Sequence, residues 1–154
     1  MSAAACGLAP RLFSLFPAMH EIFEHTADIG LRIGAKDLES LLAEAGKALF
    51  SAIVANPEQI RGVEEVQFTV KGSDYEELLH DWLAELLFAF HVERKVFADF
   101  TVKVDEKGIT AIGRGEPIDF ARHEIDTEIK AITWHELKIE HVEGGLQAEV
   151  IVDI

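Results

Sequence analysis

Two segments of the chain carry apolar residues at helical spacing. In the first, Asp37 fits a helix N-cap, and leucine, alanine and isoleucine residues then recur every three or four positions. The opposite face carries Ser40, Glu44, Lys47 and Ser51. Since Asn56-Pro57 then interrupts the pattern, we predict a helix over about 37–54.

The second segment opens on Ser73-Asp74-Tyr75-Glu76, which fits a capping box that satisfies free backbone N–H groups at a helix start. A broad apolar face follows, too wide to be left in water, which predicts a helix over about 74–91 that packs on a sheet. We expect Leu78, Trp82, Leu86 and Phe90 to be buried. The aromatic group Trp82, Phe88 and Phe90 is therefore interpreted as core rather than as a cofactor site.

Period-2 alternation predicts strands elsewhere. The segments concerned are His20–His25, Asp28–Gly34, Val66–Val70, Phe97–Val104, Ile109–Gly113, an extended run of about Asp126–His141, and Leu146–Ile154. Turns are predicted at Asp105–Gly108 and at Glu143–Gly145. The order strand, strand, helix, strand, helix and then strands only favours an α+β fold with two helices packed on antiparallel sheet.

Composition narrows the class of protein. The chain has 154 residues, 14 Lys and Arg against 28 Asp and Glu, and a net charge of −14. Such acidity argues against direct binding to nucleic acid, which needs basic groups against its phosphates. The chain has one cysteine, Cys6, so it forms no intrachain disulfide, which fits a cytoplasmic protein. It has no apolar run of about 18–20 residues, and we therefore expect no membrane span.

Residues 1–18 differ from the rest of the chain. They contain Pro10, Pro17 and the single charged residue Arg11, and patterned sequence begins at Met19. We interpret 1–18 as an N-terminal extension and 19–154 as one domain.

Common catalytic motifs are missing. There is no glycine-rich phosphate loop, no serine in a Gly-x-Ser-x-Gly turn and no pair of histidines at helical i, i+4 spacing beside a third zinc ligand. We expect no cysteine nucleophile, because Cys6 lies in the extension.

Polar residues nevertheless concentrate in two places. The link Glu24-His25-Thr26-Ala27-Asp28 joins two predicted strands, and its simplest interpretation is a turn capped by Asp28. The second place is the chain end, where the carboxylates of Asp153 and Ile154 repel each other unless a positive group neutralises them. A hard cation such as Ca²⁺, Mg²⁺ or Mn²⁺ would do so. A basic group from Arg122-His123 or from Lys130 would serve as well.

Five ordered motifs resemble the archease family and span about residues 20–154. They are Phe23–Gly30, Asp81-Trp82-Leu83 with Glu85-Leu86-Leu87, Asp119 with Arg122-His123, Glu128–Ala131 with Thr133 and His135, and Val152-Asp153-Ile154.

The resemblance implies a compact α+β sandwich that activates the GTP-dependent 3′-phosphate RNA ligase of tRNA splicing and RNA repair. It implies an activator that promotes guanylylation and repeated turnover of the ligase, not an enzyme. It further implies a metal pocket formed by Asp28, Asp153 and the Ile154 carboxylate, with Lys130 as another functional position. His25 of the same motif is expected either beside the metal ligands or in a turn hydrogen bond.

Three other functions stay open at this stage. The family resemblance also allows a chaperone-like modulator of RNA-modifying enzymes such as tRNA methyltransferases. A metal-dependent hydrolase using Asp28, Asp153 and His25 would turn over phosphoesters on its own. A binding module without metal would keep its partners after loss of Asp28 and Asp153.

Overall fold

The computed structural model describes residues 18–154, which form two antiparallel sheets and two long helices. The elements are β1 (Met19–His25), β2 (Asp28–Ala35), α1 (Leu38–Ile53), β3 (Glu64–Lys71), α2 (Tyr75–His91), β4 (Lys95–Asp105), β5 (Gly108–Pro117), β6 (Ala131–Ile132), β7 (Lys138–Val142) and β8 (Gly145–Asp153). A 3₁₀ turn covers Pro57–Gln59. The predicted α+β class, with two helices on antiparallel sheet, is confirmed.

Neither described helix is both long and apolar enough to cross a membrane. The predicted extension lies outside the described residues except for Ala18.

The larger sheet has the strand order β1-β2-β8-β6, and β7 pairs with β8 as a fifth strand. The smaller sheet has the order β3-β5-β4. Its predicted β4–β5 hairpin is confirmed: the Asp105 carboxylate accepts hydrogen bonds from the backbone N–H groups of Lys107 and Gly108 in the turn. Gly108 has φ +135°, a conformation that glycine adopts without a steric penalty.

Helix α1 contacts β2 and β8 of the larger sheet and β4 of the smaller one. It approaches β4 closely at Gly46, where an added Cβ would lie 2.6 Å from the Phe100 ring. The expectation that Glu44 lies on a solvent face is wrong, since this side chain is 7% exposed and pairs with His20 of β1. The reason is that strand β1 also packs against α1 and covers that side.

Helix α2 begins one residue later than the capping box predicts. Asp74 is the N-cap and accepts from the Glu77 N–H at 3.0 Å. Glu76 instead accepts from the Ile139 N–H at the start of β7. Leu78, Trp82, Leu86 and Phe90 are buried as predicted, but Phe88 is 52% exposed and does not belong to the core.

The extended run predicted over Asp126–His141 is wrong for most of its length. Only β6 and β7 within it are strands. The segment is instead held by backbone bonds to the end of α1, where Asp126 N–H donates to Ile53 O. A turn then closes between Trp134 and Leu137, and it contains Glu136 at φ +53°.

Candidate functional site

A two-residue turn brings His25 and Asp28 opposite each other. They form the last pair of the β1–β2 ladder, and Thr26 between them adopts the left-handed conformation at φ +52°. A β-branched residue rarely takes this conformation, and residues in it concentrate at functional sites. The His-Thr-Ala-Asp sequence therefore forms a strained, tight turn and not a loose link.

Asp28 and Asp153 lie at adjoining strand ends. Strand β2 begins at Asp28 and antiparallel β8 ends at Asp153. The last pair between these strands is Ile29, which follows Asp28, with Val152, which precedes Asp153. Side chains at opposed positions of an antiparallel pair project to the same face of the sheet. Asp28 is partly buried, whereas Asp153 and Ile154 are exposed. The topology thus places the backbones of Asp28 and Asp153 at the same edge of the larger sheet.

Strand β6 meets β8 from its other side and carries Lys130 next to it. The Lys130 N–H donates to the Asp153 carbonyl at 2.7 Å. Two histidines of α2 fix this segment, because His91 contacts the Ile129 carbonyl at 2.7 Å and His80 contacts the Ile132 carbonyl at 3.1 Å. The Lys130 side chain is exposed, and its ammonium is in none of the ion pairs among residues 18–154. Its charge is therefore available to a partner.

The basic pair Arg122-His123 does not neutralise the chain end. Both side chains bind Glu116, which is 5% exposed. His123 Nδ1 accepts from the Asp119 N–H, so its other ring nitrogen, Nε2, carries the proton donated to Glu116 Oε2 at 2.9 Å. This network holds the 116–123 segment together, whereas Lys130 is bonded through its backbone to Asp153 at the end of β8.

Glu116 remains a carboxylate within this network. Burial alone raises its pKa, but hydrogen bonds from the Arg61 N–H, from His123 and from Arg122 outweigh burial. The pKa of Glu116 is therefore below its usual value of 4.5.

A second group of polar side chains contacts His25. Its Nε2 contacts Glu136 Oε2 at 2.9 Å, and His135 Nε2 contacts the same oxygen at 2.8 Å. The two imidazole rings meet edge-on with centroids 5.6 Å apart. Sequence reasoning did not single out Glu136; its position directly after His135 of the family motif was the one available signal.

The histidines keep Glu136 ionised. The hydrogen bond from His25 lowers the pKa of its carboxyl below the usual value, and the positive field of His135 and His25 acts in the same direction. His25 Nδ1 is buried and has no hydrogen-bond partner in the described part of the chain. The His25 ring is thus held through Nε2, whereas Nδ1 forms no hydrogen bond to the described residues.

Comparisons with known proteins agree with the fold and the motifs. Residues 20–154 match the Archease protein family (MTH1598/TM1083). The chain is 42% identical over 138 residues to Protein archease of Methanopyrus kandleri, covering 87% of this chain and 98% of that protein. It is 41% identical over 139 residues to Protein archease of Pyrococcus furiosus, with 87% and 97% covered.

The fold matches a solved structure as well. The solution structure of protein 1598 of Methanobacterium thermoautotrophicum superposes with a TM-score of 0.76 at 33% identity, covering 88% of this chain and 98% of that one. Sequence and fold therefore agree over nearly the whole domain, and the chain belongs to the archease family.

Proposed function

We propose that this protein activates a GTP-dependent 3′-phosphate RNA ligase of tRNA splicing and RNA repair. In this role it promotes guanylylation of the ligase and repeated turnover, and it joins no RNA itself. The observation that carries the proposal is membership of the archease family across residues 20–154. The five motifs given above lie within this range. The ends of β2, β6 and β8, where three of these motifs meet, are the part of the surface assigned to this activity.

The charge of the protein supports binding to the ligase rather than to RNA. A net charge of −14 repels a polyanion. The same charge attracts the basic surface with which an RNA ligase holds its substrate and speeds encounter with it. An acidic activator therefore binds the enzyme and not the nucleic acid.

The carboxylates at the strand ends suit a divalent cation. We assign Asp28, Asp153 and the carboxylate of Ile154 as its ligands, with His25 beside them. All-oxygen ligation favours Ca²⁺, Mg²⁺ or Mn²⁺ over zinc, and the ion would remove repulsion among like charges. When bound, the ion supplies positive charge to this surface. Lys130, fixed to Asp153 through its backbone, supplies a second positive group for a nucleotide phosphate or a ligase carboxylate.

A reconstituted reaction tests the proposal. The ligase of the same organism is mixed with labelled GTP, Mn²⁺ and RNA ends bearing a 2′,3′-cyclic phosphate and a 5′-hydroxyl, with and without this protein. We expect faster transfer of label to the ligase and more than one RNA joined per ligase molecule when the protein is present. Equal rates with and without it would overturn the proposed function.

A matched pair of variants then tests the site. Asp28→Ala should lose the stimulation, whereas Glu106→Ala, which removes one exposed carboxylate from the β4–β5 turn of the smaller sheet, should keep it. If both variants stimulate equally, the activity does not depend on the strand-end carboxylates.

A further inference from the structure

We propose that His25, His135 and Glu136 form a binding site for a divalent transition metal such as Zn²⁺, separate from the carboxylate site at Asp28 and Asp153. One potential ligand atom from each of the three side chains lies within 4.8 Å of the others. The ligand set, two imidazoles and one carboxylate, is the set found in hydrolytic zinc sites and in sites for other borderline metals. This inference does not rest on the proposed ligase activation.

The spacing of the three ligand atoms needs little change to accept an ion. Ligand distances of about 2.0–2.2 Å in a tetrahedral zinc site set neighbouring ligand atoms roughly 3.3 Å apart. Glu136 Oε2 now lies 2.9 Å from His25 Nε2 and 2.8 Å from His135 Nε2. An ion therefore enters after the Glu136 oxygen moves about half an ångström away from each ring nitrogen, while ligand atoms of the two histidines lie within 4.8 Å of each other. Side-chain torsions allow such shifts.

The backbone holds the ligands in place from both sides. Thr26 beside His25 and Glu136 itself are two of the three non-glycine residues with positive φ in the described chain, at +52° and +53°. Each such residue costs free energy that the surrounding structure must supply, and such residues concentrate at ligand sites. The segment carrying His135 is also anchored, since the His135 N–H donates to Thr133 Oγ1 and Thr133 N–H donates to the Ile151 carbonyl of β8.

Charge and access also suit a cation. The whole protein carries a charge of −14 that draws cations to its surface. The side chains of His135 and Glu136 are 64% and 57% exposed, so an ion reaches them directly from solvent. Three protein ligands leave a fourth position for water or for a group from a partner protein.

Nitrogen ligands separate this site from the strand-end carboxylates. Hard cations such as Ca²⁺ prefer oxygen ligands, whereas imidazole suits zinc, cobalt and nickel. The two sites therefore differ in the metals they select, although His25 and Asp28 are paired across the same turn.

Titration with Co²⁺, followed by its visible absorption, tests the site in the full chain. We expect an absorption band that saturates at one ion per protein, survives excess Ca²⁺ and disappears when Zn²⁺ is added. His135→Ala and Glu136→Gln should each weaken Co²⁺ binding at least about tenfold. The matched control, His141→Ala, removes another exposed histidine in β7 and should bind Co²⁺ as the unaltered protein does.

Two further measurements make the result decisive. Addition of Zn²⁺ should shift the imidazole nitrogen signals of His25 and His135 in NMR spectra and leave those of His141 in place. Asp153→Asn, which alters the carboxylate site, should leave Co²⁺ binding unchanged. Absence of a saturable band, an unchanged affinity in His135→Ala, or equal loss in His141→Ala would overturn the proposal, and none of these outcomes bears on ligase activation.

Discussion

The indole Nε1–H of Trp82 in α2 donates a 2.7 Å hydrogen bond to the backbone carbonyl of Leu42 in α1. Trp82 is fully buried, and its ring meets those of Phe68 and Phe100 edge-on at 5.6 and 5.4 Å. One side chain therefore joins both helices to the smaller sheet.

We predict that Trp82→Phe lowers the free energy of unfolding by roughly 2–4 kcal/mol. The substitution removes the hydrogen bond to Leu42 and leaves a cavity that the surrounding rings fill only in part. Urea unfolding followed by circular dichroism measures the change. The control is Trp134→Phe: this residue is 55% exposed, and the change should stay within about 0.5 kcal/mol. Equal effects of the two substitutions would contradict the central role of Trp82.

The burial of Trp82 was predictable from the sequence because the apolar face of α2 has a strong helical period. The burial of Glu44 and the exposure of Phe88 were not predictable, since they depend on which element covers each side chain. Strand β1 packs beside Glu44, whereas the Phe88 side chain is left exposed. Periodicity describes one element at a time. It carries no information about the strand or helix packed beside that element.

The same limit applies to the site. The motifs pointed to Asp28 and Asp153, and the register of β2 with β8 is what makes them neighbours. The contact between His25 and Glu136 joins residues 111 positions apart. It depends on the left-handed conformation of Thr26 and Glu136, which no local sequence pattern predicts. Local motifs therefore named candidate residues, whereas the contacts between those residues depend on long-range strand pairing and turn geometry.

A pH dependence of stability is predicted for Glu116. Its pKa is below 4.5 in the folded protein and is expected near 4.5 when unfolded. The unfolded chain therefore binds more protons between these two values, and stability falls as the pH drops below 4.5. The contribution is fully present above that pH. Urea unfolding of the unaltered protein and of Glu116→Gln, at pH 6 and in steps below pH 4.5, measures it.

The Glu116→Gln protein should be less stable at pH 6, because an amide pairs poorly with Arg122. Its stability should then fall less steeply with acid than that of the unaltered protein. Glu106→Gln, at an exposed turn, serves as the control and should show the unaltered slope. If the free energy of unfolding changes with pH in the same way for all three proteins, protonation of Glu116 does not contribute to the pH dependence of stability.

The N-terminal extension is predicted to be dispensable. Residues 1–18 carry a single charged side chain, Arg11, and lie before the family match that begins at residue 20. A chain beginning at Met19 should unfold at the same temperature as the full chain and stimulate the ligase equally. Scanning calorimetry and the guanylylation reaction check the two properties. A lower unfolding temperature or weaker ligase stimulation in the shortened chain would show that the extension contributes to stability or to activity.

Lys130 is predicted to act in activation and not in folding. Its side chain is exposed, and its structural contact is made by the backbone N–H, which Lys130→Ala retains. The variant should therefore keep its unfolding free energy within about 0.5 kcal/mol and lose ligase stimulation. Lys103→Ala removes an exposed lysine of β4 and should behave as the unaltered protein. Full stimulation by Lys130→Ala would identify Lys130 as an ordinary surface lysine.

The last prediction concerns the carboxylates at the end of β8. If the Ile154 carboxylate is a ligand of the proposed hard cation, extending the chain by a few residues moves that charge away from Asp28 and Asp153. The extended protein should bind Ca²⁺ or Mn²⁺ more weakly, as Asp28→Ala should, and stimulate the ligase less. Isothermal titration calorimetry gives the affinities, and circular dichroism checks that the fold is kept.

A second variant separates the terminal charge from the aspartates. Asp153→Asn keeps the shape of the strand end and the backbone bond from Lys130 to Asp153 but removes one carboxylate charge. It should weaken cation binding in the original chain and weaken it further in the extended chain, because each change removes a different ligand. If the extension leaves affinity and stimulation unaltered while Asp153→Asn lowers both, the terminal carboxylate is not a ligand. The site then consists of Asp28 and Asp153 with solvent completing the coordination.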